Sequence, residues 1–135
     1  MKIKIDYLHK DMKPLEYKHC YDAGADVYMY KDIVLKPGTN MIPLGFSMCL
    51  PPGYAGYMCL RSSIMGNGIV CNMAPVDSDY KGEWHLVVYN STKDDIVIPK
   101  NNRICQVVIM PILQAEFVNE LPERRDFNGL GSSGK

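Results

Sequence analysis

Turn-forming residues interrupt this chain before any helix can run its course. Lys36-Pro37-Gly38, Pro51-Pro52-Gly53, Tyr80-Lys81-Gly82, Ser91-Thr92-Lys93-Asp94-Asp95 and Pro99-Lys100-Asn101-Asn102 fall at close intervals. Gly, Pro, Asn and Asp favour turn geometries that a helix interior rejects. A helix of ordinary length needs about 11 residues, and the intervening segments are short and rich in β-branched and aromatic residues. Residues 2–8 alternate polar and apolar, which puts Ile3, Ile5 and Tyr7 on one strand face. Further β-rich runs follow at 25–30, 33–35, 40–44, 54–60, 69–71, 84–90, 95–98, 104–110 and 113–118. Many short strands between turns predict an all-β domain: a sandwich, barrel or jelly roll. One helical turn is expected near 63–66. Runs 54–60 and 103–110 are apolar at successive positions, which predicts strands buried on both sides and, in so small a domain, a partner chain.

The charge balance narrows the function. The 135 residues suit one domain, and 15 Lys+Arg against 15 Asp+Glu give a formal net charge of +0. With 47% hydrophobic and 22% charged residues the chain is expected to be globular rather than disordered. A zero balance argues against a partner held mainly by counterion release, but leaves room for a local patch that recognises a small phosphorylated ligand. The five cysteines, Cys20, Cys49, Cys59, Cys71 and Cys105, contain no Cys-x-x-Cys spacing. They read as reduced thiols rather than a disulfide framework or zinc site. Charges interleave the first residues, where a signal peptide needs an apolar stretch, and no apolar run approaches the ~20 residues of a membrane span. A cytoplasmic protein without nucleic-acid or membrane partners is expected. Residues 1–123 read as the β domain, and 124–135 as a Gly/Ser-rich arm that orders only on a ligand.

Four segments carry candidate chemistry. Gly129-Leu130-Gly131-Ser132-Ser133-Gly134-Lys135 fits the G-x-x-x-x-G-K part of a P-loop, but lacks the following Ser/Thr and helix. What it keeps is backbone N–H groups that glycines let converge on an anion. Arg61-Ser62-Ser63 follows an apolar strand directly, so a planar cationic fork and two hydroxyls sit on a rigid edge; a capped turn with a surface arginine is the alternative. Val76-Asp77-Ser78-Asp79-Tyr80-Lys81-Gly82 precedes the 84–90 strand. A carboxylate beside apolar Val76 suits a general base that holds a water, and alternation predicts different environments for Asp77 and Tyr80. An Asp-rich hairpin loop is the plainer reading. Gln106 is a polar residue inside an apolar strand and needs a partner, which a ligand could be. His9, His19 and His85 show no metal-ligand spacing, and no Ser/His/Asp set is legible.

In this order the segments resemble the trimeric dUTPase family across nearly the whole chain. Asp22-Ala23-Gly24-Ala25-Asp26-Val27 is similar to its first motif and Arg61-Ser62-Ser63 to its second. The 76–82 segment is similar to the third, Asn101-Asn102-Arg103-Ile104-Cys105-Gln106 to the fourth, and residues 125–134 to the fifth. The resemblance implies a distorted jelly roll with the C-terminal arm exchanged between subunits of a homotrimer. It implies hydrolysis of dUTP to dUMP and pyrophosphate, with water attacking the α-phosphorus and Mg2+ carried mainly by the triphosphate. Asp77 would activate the water, and Arg61, Ser62 and Gln106 would hold the phosphates. Tyr80 would pack under the deoxyribose and exclude a 2′-hydroxyl. Ser63, Asn72 and Val76, with Arg125, Leu130, Gly131 and Ser132 of the arm, would complete the substrate contacts, and Asp26 would support the metal region from behind.

The chain also departs from the pattern. Asn72-Met73-Ala74-Pro75-Val76-Asp77 lacks the glycine of the family's base-recognition hairpin, is shorter than its commonest form, and contains a proline that donates no backbone hydrogen bond. Leu130 stands where an aromatic usually covers the base, and Phe127 is the nearest substitute. Asn102 stands where the fourth motif usually has Asp, leaving Arg103 without a neighbouring carboxylate. These departures raise two alternatives: a pyrophosphatase for another pyrimidine deoxynucleotide, cytosine-based or modified, and a non-catalytic regulatory module of the same fold. Retained Asp77 and Arg61 oppose the second. The related dCTP deaminases fit less well, because Val87 aligns with their catalytic Glu and cannot shuttle protons.

Overall fold

Short runs of alternating burial generate the scaffold. The computed structural model describes residues 1–121. In chain order the strands are β1 (Ile5–Tyr7), β2 (Ala25–Tyr28), β3 (Ile33–Leu35), β4 (Gly38–Pro43), β5 (Phe46–Met48) and β6 (Tyr54–Leu60). A single helical turn α1 (Ser62–Met65) leads to β7 (Ile69–Cys71), β8 (His85–Asn90), β9 (Ile96–Ile98) and β10 (Arg103–Pro111). All pairings between these strands are antiparallel, in four sheets ordered β1-β5, β2-β10-β6, β3-β9 and β4-β8-β7. Most neighbours are far apart in sequence, as in a jelly roll.

The core lies between these sheets. Val27, Met29, Leu35, Ile42, Leu44, Phe46, Trp84, Leu86, Val88 and Ile104 are among its most deeply buried members. Trp84 and Phe46 pack as a tilted aromatic pair with centroids 5.5 Å apart. Gly56 of β6 allows this packing, since a Cβ there would lie 2.3 Å from Cη2 of Trp84. Asn90 is one of two buried polar residues among those described, with Asp26, and its amide is fully used. It donates to the carbonyls of Leu35 (2.8 Å) and Asp94 (2.9 Å) and accepts from the backbone and hydroxyl of Thr92.

Two expectations fail. Residues 113–118 form no strand: among the described residues no segment pairs with them, and Leu113 (98%) and Phe117 (95%) are almost wholly exposed. Conversely, β5 was not expected, although Phe46 and Met48 alternate with Ser47 and Cys49; it exists because β1 supplies the partner edge. Of the strands expected to be covered on both sides, β6 and the first seven residues of β10 contain no fully exposed position.

Candidate functional site

The central strand β10 and its neighbours place the candidate residues in two separate clefts. β6 ends at Leu60, and Arg61 continues in an extended conformation (φ −70, ψ 145) as the residue that starts α1. Arg61, Ser63 and Asn67 line a cleft of about 450 Å³ together with Arg103, Asn101 and Tyr28. Asn101 holds the β9–β10 turn at φ 69, a left-handed conformation that Asn tolerates better than most residues.

A buried carboxylate organises this cleft. Asp26 is only 2% exposed and faces Gln106 across the β2–β10 register. Its Oδ2 accepts from Arg103 Nη1 at 3.0 Å and its Oδ1 from Gln106 Nε2 at 3.3 Å. Asp26 therefore supplies the partner that Arg103 lacks in its own segment. Both Asp26 oxygens are turned to these two donors. Gly24, beside it, must be glycine because a Cβ would lie 2.7 Å from that of Gln106. Tyr28 donates its hydroxyl to Glu16, and that bond, followed by burial and the charges of Glu16 and Asp26, holds the phenol above its ordinary range. Two guanidiniums thus face a cleft bordered by amides and a hydroxyl, a donor set suited to a multiply charged anion.

The second cleft, about 240 Å³, holds Val76, Asp77, Tyr80 and His85 over a floor that includes Met58 and Trp84. Val76 is pinned to the edge of β6 by a two-bond bridge with Gly56 (3.0 and 2.7 Å). The backbone N–H of Tyr80 donates to the Asp77 carbonyl at 3.2 Å, closing a turn that folds both side chains toward the same space. The expected difference in their environments is thus corrected. The Tyr80 hydroxyl donates to the Glu83 carbonyl at 2.8 Å, and the ring lies so close over the turn that a Cβ at Gly82 would meet its oxygen at 2.6 Å. Glu83 in turn accepts from the Gly45 backbone at 3.1 Å, tying the loop to the β4–β5 corner. Asp77 is exposed at the mouth, as a base that receives a water would be.

These clefts share no lining residue. Val76 sits opposite Gly56, five positions before Arg61 on β6, roughly 16 Å away along an extended strand. Ser62 is exposed beside the first cleft. Asn72 lies in neither: it borders a third hollow with Thr39, Val70 and Tyr89. Arg125, Leu130, Gly131 and Ser132 lie outside the described residues. Sequence reasoning did not single out Tyr28 and Asn67, which have no local signal, and weighed His85 only as a metal ligand or triad member although it follows the Tyr80–Gly82 turn closely. Among the described residues no group of three or more His, Cys, Asp or Glu is placed to hold a metal ion, and no helix is long and apolar enough to cross a membrane.

Comparison with known proteins places this geometry in a family context. The sequence model of the dUTPase family matches residues 10–134. The deoxyuridine 5′-triphosphate nucleotidohydrolase of Syntrophotalea carbinolica is 34% identical over 141 residues, covering 98% of this chain and 96% of that protein. The protein of the same name from Leifsonia xyli subsp. xyli is 38% identical over 128 residues, covering 87% and 83%. Among solved structures, a Staphylococcus bacteriophage 80alpha dUTPase mutant with dUpNHpp superposes with a TM-score of 0.81 at 24% identity, covering 98% of both chains. A dUTPase mutant from phage phi11 of S. aureus, solved to describe coordination of a structural Mg(II) ion, gives 0.78 at 20% identity, covering 91% of this chain and 98% of that one. At these identities the two structures support the fold.

Proposed function

This chain belongs to the dUTPase family, hydrolases acting on an acid anhydride, and from that premise we propose that it converts dUTP to dUMP and pyrophosphate at a site shared between copies. The observation that carries this reading is the separation of the Arg61–Arg103 cleft from the Asp77–Tyr80 cleft. One copy contributes the cations for the triphosphate, and its neighbour contributes the base and the nucleoside wall.

The chemistry follows from the groups present. Phosphoryl chemistry demands positioning and charge stabilisation more than a covalent nucleophile. Arg61 and Arg103, with Ser62, Ser63 and the second N–H of Gln106, neutralise and orient the phosphates. Asp26 holds Arg103 and Gln106 in that orientation. Asp77, exposed and adjacent to Tyr80, takes a proton from the water that attacks the α-phosphorus. The Tyr80 ring, fixed by its bond to Glu83, forms the surface on which the deoxyribose rests and against which a 2′-hydroxyl clashes. Magnesium keeps much of its water and favours phosphate oxygens. It would therefore arrive on the triphosphate oxygens of the substrate.

The exchanged arm belongs to the same proposal. Beyond β10, Leu113 and Phe117 are exposed, and the chain also carries an apolar groove of about 310 Å³ lined by Ile3, Ile5, Leu15, Met48, Val107 and Ile109. The arm of one copy covers the groove of the next, making a trimer, and carries Arg125, Leu130, Gly131 and Ser132 onto a neighbour's site. Pro75 lines the Asp77 cleft without a backbone N–H to offer, which favours another pyrimidine deoxynucleotide as the second reading. Asp77→Asn tests the mechanism. It is expected to lower kcat on Mg–dUTP by orders of magnitude while substrate affinity stays within a few-fold. Wild-type turnover would assign the base elsewhere.

A further inference from the structure

The Asp77 cleft contains an imidazole that the mechanism above leaves idle. His85 opens β8 opposite Pro43 of β4, is half-buried, and lines the same wall as Asp77 and Tyr80. Its Nδ1 lies 2.9 Å from the Glu83 carbonyl oxygen. A carbonyl oxygen only accepts, so Nδ1 carries the proton and the neutral ring keeps its lone pair on Nε2.

That carbonyl also receives the Tyr80 hydroxyl, with two consequences. The shared acceptor fixes both rings in place, and the one donor of Tyr80 is consumed. The indole N–H of Trp84 is sealed beneath the surface, and the other side chains of the cleft, Met58, Ala74, Pro75 and Val76, are apolar. The polar side-chain groups left for a ligand therefore only accept: the Asp77 carboxylate, Nε2 of His85 and the remaining lone pair of the Tyr80 hydroxyl. Such a wall selects a ligand that presents donors, because a buried acceptor left unpaired costs free energy.

We propose that Nε2 of His85 accepts a hydrogen bond from the nucleoside part of the substrate and so helps set which nucleotides bind, an inference that rests on the dUTP reading above. A deoxyuridine moiety offers two such donors, the ring N–H and the sugar 3′-hydroxyl. His85 touches the nucleoside and not the reacting phosphate, so its contribution falls on KM and not kcat.

The test compares wild type, His85→Ala and His85→Gln on Mg–dUTP, with 2′,3′-dideoxy-UTP as a competing inhibitor. His85→Ala is expected to raise KM for dUTP about three- to ten-fold, the worth of one neutral hydrogen bond, with kcat nearly unchanged. His85→Gln, which restores an acceptor at similar reach, is expected to recover most of that loss. If the Ki penalty of His85→Ala vanishes for the dideoxy compound, the donor is the 3′-hydroxyl; if it persists in full, the donor is the ring N–H. An unchanged KM in His85→Ala, or no recovery in His85→Gln, overturns the proposal. Failure of the wild type to release pyrophosphate from dUTP would instead overturn the parent reading.

Discussion

Cys105 lies wholly buried on β10, and burial, reinforced by nearby Cys71, Cys59 and Asp26, pushes its thiol far above the ordinary range. The sign of the consequence is fixed. Below about pH 8.5 the thiol is protonated in both the folded and unfolded chain and pH has no effect through it. Above that, the unfolded thiol ionises while the buried one cannot, so stability falls as pH rises, by up to about 1.4 kcal/mol per pH unit. Urea unfolding at about pH 8 and about pH 10 should reveal that loss, and Cys105→Ala should flatten it; an unchanged slope in the variant would assign the alkaline loss to other groups. Asp26 shows where residue-level legibility stops. Its motif marked it as important, but its partners Arg103 and Gln106 lie 77 and 80 positions away. Only the β2–β10 register, which no local pattern encodes, brings them together.

At the scale of elements, β6 carries the most consequence. It pairs with β10 along one edge, bridges to Val76 on the other, and ends in Arg61, so one strand positions both clefts. Gly56 is the point where this strand meets the core, with Cη2 and Cζ3 of Trp84 at 2.3 and 3.0 Å from where a Cβ would stand. The indole is rigid and backed by Phe46, so Gly56→Ala is expected to cost about 1–3 kcal/mol through overpacking. It should also lower turnover by shifting the Val76 bridge, both checked by thermal unfolding and steady-state rates; a variant as stable as wild type would show that the ring can move. Most strands were legible because their apolar alternation is bounded by Gly and Pro turns. β5 was not, since three residues make too short a pattern to stand out from the Leu44-Gly45 corner. Residues 113–118 have strand composition but no partner among the described residues, and composition cannot distinguish a strand from a segment that waits for one.

For the whole molecule, the central claim is that a chain this small builds two half-sites and completes them with copies of itself. Arg61→Ala and Asp77→Asn should each be nearly inactive alone. Unfolded together and refolded as mixed oligomers they should regain activity, approaching about a quarter of wild type for random mixing, because some sites then join an intact Arg61 to an intact Asp77. No recovery would place both residues in one chain's site. This level was the least legible from local patterns: the family resemblance implied shared sites, and the separation of Arg61 from Asp77 along β6 is the observation that supports the proposal. The base itself is left to the altered 72–77 hairpin. The most direct measurement is pyrophosphate release by the purified protein with Mg2+ from dUTP, dCTP, dTTP and UTP in parallel. The account predicts release from dUTP well above the other three, and release from dUTP no greater than from dCTP would contradict it.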